Sequence, residues 1–178
     1  MKKENVTLLG MPGSGKSTVG VILAKALGYE FIDTDLLIQK QEGRLLRQII
    51  AEEGLDRFVE IENQVNRDVE CTRAVIAPGG SVVYGTEAME HLAEISTMVY
   101  LKLPYETIYG RIADTKKRGV VLRDGQTLKD LYDERCPLYE KYADLVIDCE
   151  QKSIREITEE IAEVYKKYQI SPSCENNA

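Results

Sequence analysis

The chain of 178 residues is predicted to fold as an α/β protein with three layers, in which helices cover both faces of a five-stranded parallel sheet. Two observations lead to this prediction. Short apolar runs of the kind that form buried strands recur along the chain, and segments with helical periodicity separate them. The predicted strands are residues 5–9, 30–33, 74–77, 97–103 and 145–148.

The segments between these strands have the spacing and the end signals of helices. Gly28 follows an apolar-faced segment and is expected to end the first helix. Ser153 and Glu156 form a predicted capping box at the start of the last one. Pro137 is expected to kink or divide the helix that contains it. The predicted helices are residues 17–27, several segments within 35–71, then 87–95, 105–113, 128–142 and 153–168.

Composition indicates one globular domain over residues 1–170, followed by a polar tail at 171–178 that we expect to be disordered. The formal net charge of −7 argues against nucleic acid or an anionic membrane surface as a partner. We find no apolar run long enough for a signal or membrane segment, and the four cysteines form no CxxC pair. We therefore expect a cytoplasmic protein with reduced thiols, acting as a monomer.

A phosphate-binding motif follows the first predicted strand. Residues 10–17 read GMPGSGKS and match the pattern GxxxxGK[ST] in full. Glycines allow backbone N–H groups to surround phosphate oxygens, and the following helix directs its positive end at them. In this motif Lys16 contacts the outer phosphates and the Ser17 hydroxyl is the expected ligand of Mg²⁺. The motif predicts that ATP or a related nucleotide is bound.

The rest of the chain favours a kinase among the nucleotide-binding proteins. No NKxD-type segment for reading guanine is present, and the chain is short for a motor ATPase. Residues 114–126 are rich in basic side chains and glycine, and we interpret them as a lid that closes over the γ-phosphate.

Two further loops follow predicted strands at the edge where ligands bind in such sheets. Asp33 and Asp35 are two residues apart, so an extended segment would point both carboxylates the same way. One could hold Mg²⁺ through water and the other could take the proton of an acceptor hydroxyl. The alternative is that Asp35 caps the next helix. Gly79 and Gly80 either let a substrate approach the backbone or form an ordinary tight turn.

The order of five segments resembles the shikimate kinase family over nearly the whole chain. The segments are GMPGSGKST, FIDTD, PGGS, the basic loop with Arg118, and RCPLYEKYAD at residues 135–144. The resemblance implies the P-loop kinase fold and transfer of the ATP γ-phosphoryl group to a hydroxyl of shikimate, with Mg²⁺ as cofactor.

The same resemblance implies a role for individual residues. Arg135 is expected to bind the acceptor carboxylate, for which a planar guanidinium is suited. The implied catalytic residues are Lys16, Asp35 and Arg118. The implied ATP-binding residues are Gly13, Ser14, Gly15, Lys16, Ser17, Thr18, Arg111 and Arg118. The implied acceptor-binding positions are Asp35, Val59, Gly79, Gly80, Ser81 and Arg135. The implied Mg²⁺ ligands are Ser17 and, through water, Asp33.

The sequence departs from the family pattern mainly in the acceptor half. Val59 stands where the family's FRxxE segment has a second carboxylate-binding arginine, and Ser81 replaces a third glycine. Residues 118–121 read RGVV in place of the usual RPLL. Loss of one charged hydrogen bond would weaken shikimate binding by about 10- to 150-fold.

These departures keep other functions open. One alternative acceptor is a different hydroxy acid, such as a hydroxy amino acid whose ammonium could pair with Asp35, or a sugar acid. A non-catalytic ATP-dependent regulator would retain the same fold. A nucleotide or gluconate kinase would share the P-loop, but the segment PLYEKYAD argues against it.

Overall fold

The computed structural model describes residues 3–113, 122–123 and 125–170. Five parallel strands form one sheet in the order β2-β3-β1-β4-β5. This confirms the predicted α/β sheet, and only the fourth strand begins and ends one residue earlier than predicted. The strands are β1 Asn5–Leu9, β2 Glu30–Asp33, β3 Ala74–Ala77, β4 Ser96–Lys102 and β5 Leu145–Asp148.

Seven α-helices connect and follow the strands in this part of the chain. Gly28 ends the first helix, and the Ser153–Glu156 capping box begins the last one, both as predicted. Pro137 lies inside a helix without dividing it. The helices are α1 Lys16–Leu27, α2 Thr34–Glu42, α3 Leu46–Arg67, α4 Thr86–Ile95, α5 Tyr105–Ala113, α6 Leu128–Tyr142 and α7 Ile154–Ile170.

The main core forms around the three central strands. Every residue of β1 and β3 is buried, including consecutive residues that point to opposite faces of the sheet. Both faces are therefore covered by helices, as parallel sheets require. Helix α1 packs against α7, β2 and β3, whereas α4 and α6 pack against β4.

A second, smaller core lies between α2 and α3. It consists of Ile38, Ile49, Phe58, Ile61 and Val65. Helix α3 bends at Gly54, whose φ of 85° lies in the left-handed region. The two arms of α3 therefore form one wall beside the carboxyl edge of the sheet.

The order of the strands decides which loops meet. Strand β3 pairs with both β1 and β2, and all three run in the same direction. The loops that follow these strands therefore emerge side by side at one edge. They carry the phosphate-binding motif, the two aspartates and the double glycine. No helix within the described ranges is long and apolar enough to cross a membrane.

Contact between α1 and β2 depends on the absence of a side chain at Gly20. A Cβ at this position would lie 2.5 Å from Cε2 of Phe31. We expect Gly20→Ala to lower the free energy of unfolding by about 1–3 kcal/mol, because an added methyl group overpacks this contact. Urea denaturation measures the change.

Gly110 in α5 is the matched control. It is exposed, and an added Cβ would meet no atom within 4 Å. Gly110→Ala is expected to stabilise by roughly 0.5–1 kcal/mol through helix propensity alone. Equal stabilisation by both substitutions would show that Phe31 moves aside freely and that the close packing of α1 on β2 is not required.

Candidate active site

A cleft of about 600 Å³ opens at the carboxyl edge of the sheet. Three of its walls are the phosphate-binding loop, the start of α2 and the turn after β3. The inner face of α3 and one side chain from α6 complete it. The cleft therefore brings together parts of the chain that are more than a hundred residues apart.

The phosphate-binding loop holds Lys16 across its own backbone. The Lys16 ammonium donates hydrogen bonds to the carbonyl oxygens of Gly10 (2.7 Å) and Met11 (3.2 Å). Desolvation in the cleft lowers the pKa of Lys16 to about 8, with Asp35 opposing this and Arg135 adding to it. The ammonium is thus placed at the start of α1, where a bound phosphate would meet both its charge and the helix dipole.

Ser17 and Asp33 contact each other beside this loop. The Ser17 hydroxyl donates to Asp33 Oδ2 over 3.1 Å. The backbone N–H of Asp35 donates to Asp33 Oδ1, also at 3.1 Å, which makes Asp33 the N-cap of α2. A hydroxyl and a carboxylate are the hard oxygen ligands that Mg²⁺ prefers, so this pair suits a magnesium ion.

Asp35 lies in the first turn of α2, not in an extended segment. The extended geometry predicted for Asp33 and Asp35 is wrong because the strand ends at Asp33 and the chain turns there. The alternative that Asp35 caps the helix is wrong as well, since Asp33 does so. The Asp35 Oδ1 atom is buried without a hydrogen-bond partner. Burial raises the pKa of Asp35, and Asp33 adds to this while Lys16 opposes it.

The turn at Gly79 and Gly80, here called the floor of the cleft, lies between charged side chains. A Cβ on Gly79 would overlap Glu62 Oε1 and lie 3.0 Å from Asp35 Oδ1. A Cβ on Gly80 would lie 3.2 Å from an Nη atom of Arg135. The glycines therefore allow charged side chains to approach the floor from both sides.

Helix α6 supplies the guanidinium on this floor. Arg135 is only 6% exposed, and its Nε donates to the Tyr84 hydroxyl over 3.2 Å. The guanidinium also lies over the Tyr84 ring at 5.1 Å from its centroid. One turn further along, the Tyr139 hydroxyl donates to the carbonyl oxygen of Gly80 at 2.6 Å. Helix α6 therefore positions both the Gly79–Gly80 turn and the Arg135 guanidinium.

Glu62 on α3 belongs to the site, although it is not among the site residues predicted from the sequence. The residue is 1% exposed and lines the cleft. Burial raises its pKa from 4.5 to about 7. The Ser81 hydroxyl lies nearby and opposes the shift, yet neither carboxylate oxygen makes a hydrogen bond to any described residue. A signal existed, since Phe58, Ile61 and Val65 place Glu62 on the apolar face of α3.

The remaining predicted positions divide into four groups. Ser81 lines the cleft, as do Gly13, Gly15 and Thr18 of the phosphate-binding segment. Ser14 is buried in the loop, and Arg111 donates from α5 to the carbonyl oxygen of Gly13 at 3.2 Å. Val59 is half-buried and is not among the described residues that line the cleft. The residues outside the described ranges include Arg118, most of the predicted lid 114–126 and the tail 171–178.

Fold and site together define a P-loop kinase of the small-molecule type. The family model for shikimate kinase matches residues 12–166, which is most of the chain. The chain therefore belongs to the shikimate kinase family, as the order of its motifs predicted.

Individual relatives agree with the family model. The shikimate kinase of Nostoc punctiforme is 39% identical over 165 residues, covering 90% of each chain. That of Persephonella marina is 34% identical and covers 89% of this chain and 96% of the relative. A solved shikimate kinase from Acinetobacter baumannii, in complex with shikimate, superposes with a TM-score of 0.86 at 30% identity, covering 94% of this chain and 96% of that one.

The raised pKa of Glu62 makes a prediction about stability. Between about pH 4.5 and 7 the folded protein keeps a proton on Glu62 that the unfolded chain has lost. Stability from this group therefore falls as pH rises through that window, by on the order of 3 kcal/mol. Since Glu62→Gln removes the titration, we expect the variant to gain that amount relative to the parent protein between pH 4.5 and pH 8.

Urea denaturation at several pH values measures this difference. Glu60→Gln is the control, because Glu60 lies on the same helix and is exposed. Stability curves of Glu62→Gln and the parent that run parallel with pH would show that Glu62 titrates as an ordinary carboxyl group.

Proposed function

We propose that the protein transfers the γ-phosphoryl group of ATP to a hydroxyl of a small hydroxylated carboxylic acid, with shikimate as acceptor and shikimate 3-phosphate as product. The observation that carries the proposal is that Lys16, Asp35 and Arg135 line one cleft. A phosphate-binding cation, a proton acceptor and a carboxylate-binding cation are thus combined in one place. The shikimate complex of the similar Acinetobacter baumannii enzyme supports shikimate as acceptor.

The donor half of the proposed reaction depends mainly on backbone groups. The loop from Gly10 to Gly15 would surround the phosphates, and the positive end of α1 would face them. Lys16 would leave the carbonyl oxygens of Gly10 and Met11 and donate to the outer phosphate oxygens instead. The charge that develops there in the transition state is stabilised by this preorganised cation.

Mg²⁺ is proposed as the cofactor of this half. Ser17 and, through water, Asp33 would hold it, because their oxygen atoms already lie together. When bound, the ion neutralises charge on the outer phosphates during transfer. Arg111, which contacts the loop from outside, is proposed to lie on the adenine side.

The acceptor half depends on charged side chains. Asp35 would accept the proton of the acceptor hydroxyl while its oxygen forms the new bond to the γ-phosphorus and the bond to ADP breaks. Arg135 would bind the acceptor carboxylate against the floor at Gly80. Its side chain is already held by Tyr84, so little conformational freedom is lost on binding.

We also propose that residues 1–170 act as one domain, as a monomer in the cytoplasm and without nucleic-acid or membrane partners. The formal net charge of −7 supports the absence of polyanionic partners.

Shikimate turnover is the first test. With ATP and Mg²⁺, we expect saturable ADP release in a coupled assay. The KM is expected to be raised by about 10- to 150-fold relative to an enzyme with an arginine at position 59, because Val59 contributes no charged hydrogen bond. Formation of ADP without a phosphorylated acceptor, or no ADP release from a protein that binds ATP, would contradict the proposal.

Asp35→Asn tests the role of the base. Because the amide cannot take the proton, we expect kcat to fall by about 10²–10⁴-fold, while the dissociation constant for ATP changes little. The exposed Asp133→Asn is the control, with unchanged kcat. If Asp35→Asn turned over as fast as the parent protein, another group would have to accept the proton.

A further inference from the structure

The acceptor end of the cleft contains three buried carboxylate oxygens that have no hydrogen-bond partner. They are Oδ1 of Asp35 and both oxygens of Glu62. Buried polar atoms are almost always satisfied in folded proteins, since leaving them unpaired is costly. Glu62 is 1% exposed and lines the cleft, and the Ser81 hydroxyl is a described neutral donor beside it. One hydroxyl cannot satisfy both oxygens of Glu62 and Oδ1 of Asp35, so these oxygens can accept further hydrogen bonds from a bound molecule.

The charges that face Glu62 do not supply such a donor. They come from Asp35 on α2, Arg135 on α6 and Lys16 in the phosphate-binding loop. Arg135 donates to Tyr84, and Lys16 donates to the loop carbonyls. Neither makes a hydrogen bond to Glu62 among the described residues. Glu62 therefore faces two cations of the described protein without accepting a hydrogen bond from either.

An arginine at position 59 would have stood near Glu62. Residues three apart on a helix are neighbours on its surface. The chain has Val59 there, and valine has neither a charge nor a hydrogen-bond donor. The exposed Arg47 also lines the cleft but makes no ion pair with Glu62 within the described ranges.

The floor of the cleft places opposite charges side by side. Glu62 and Asp35 approach it at Gly79, and Arg135 approaches it at Gly80. Glu62 and Arg135 thus face neighbouring residues of the floor. A molecule that carries a cation and a carboxylate on the same carbon atom would present one charge to each, and an α-amino acid is such a molecule.

We propose that the acceptor site of the kinase inferred above also takes hydroxy amino acids, with Glu62 binding their ammonium group. Arg135 binds the carboxylate, and Asp35 remains with the hydroxyl. The inference rests on the proposed function and names a second class of acceptor for the same site. In the reaction, the side-chain hydroxyl oxygen attacks the γ-phosphorus, the bond to ADP breaks and the hydroxyl proton passes to Asp35, while the ammonium is unchanged.

An ammonium suits Glu62 better than another hydroxyl would. It brings three N–H donors and a positive charge, whereas a hydroxyl donates only once. Charge-assisted hydrogen bonds are also about twice as strong as neutral ones. Binding of the cation favours the ionised form of Glu62, so the buried carboxylate and the ammonium each offset part of the cost of burying the other.

Matched acceptors test the proposal on the unmodified protein. L-Homoserine and (S)-2,4-dihydroxybutanoate differ only in an ammonium that is replaced by a hydroxyl, and L-serine tests a shorter chain. With ATP and Mg²⁺, we expect kcat/KM for L-homoserine to exceed that for (S)-2,4-dihydroxybutanoate by roughly tenfold or more, mainly through KM. ADP release gives the rates, and ³¹P NMR identifies the phosphate ester.

Glu62→Gln tests the residue itself. The variant keeps the shape and removes the charge, so the preference for L-homoserine over its hydroxyl analogue is expected to fall by roughly tenfold or more, to near one. The preference is a ratio measured on one protein, so partial misfolding does not alter it. Glu60→Gln on the exposed side of the same helix should retain the full preference.

Each outcome separates this inference from the proposed function. Shikimate turnover without any preference for the amine overturns the inference and leaves the kinase intact. Turnover of L-homoserine but not of shikimate supports the inference and overturns shikimate as acceptor. A preference that survives Glu62→Gln overturns the role of Glu62. No phosphorylated acceptor at all, from a protein that binds ATP, overturns both.

Discussion

The hydrogen bond from the Tyr139 hydroxyl to the carbonyl oxygen of Gly80 connects helix α6 to the turn after β3 at the cleft. It is 2.6 Å long and partly buried, and the Tyr139 ring, which is fully buried, also stacks on Tyr100 of β4, with 5.3 Å between centroids. The contact fixes the turn after β3 against α6. Because Arg135 lies one turn earlier on that helix, the floor of the cleft and its guanidinium keep a constant relation to each other. The rest of the acceptor site is built around this position.

The buried ionisable groups of the cleft have shifted pKa values with a common cause. Desolvation lowers the pKa of Lys16 to about 8 and raises that of Glu62 to about 7, so each is moved toward its neutral form. The fold maintains this arrangement without a ligand at some cost in stability, as functional sites commonly do. Phosphate oxygens at Lys16 and a donor at Glu62 would reverse both shifts. Substrate binding is therefore expected to supply the partners that the folded chain lacks.

The sequence was sufficient for the sheet because strand and motif signals are local. Apolar runs identified all five strands, and the phosphate-binding motif placed Lys16 and Ser17 correctly beside the first helix. The geometry of Asp33 and Asp35 was not predictable from alternation, since a helix begins between them and the capping bond of Asp33 decides the turn. Glu62 was missed for another reason. Its burial on the apolar face of α3 was readable from the sequence, but its neighbours in the cleft, Gly79 and Arg135, are distant in sequence, and only the fold brings them together.

The two halves of the cleft are built from different kinds of groups, and this explains how the acceptor can change within one family. Backbone N–H groups and a helix end form most of the donor half, and they persist under substitution as long as the glycines remain. Side chains form the proposed acceptor half, so one substitution, such as valine where the family pattern has arginine at position 59, alters its charge and leaves the fold unchanged. The consequence here is a carboxyl group on α3 that accepts no hydrogen bond from a described cationic side chain. A buried carboxylate in that position would favour an acceptor that carries a cation, and selection among acceptors would then follow from electrostatics more than from shape.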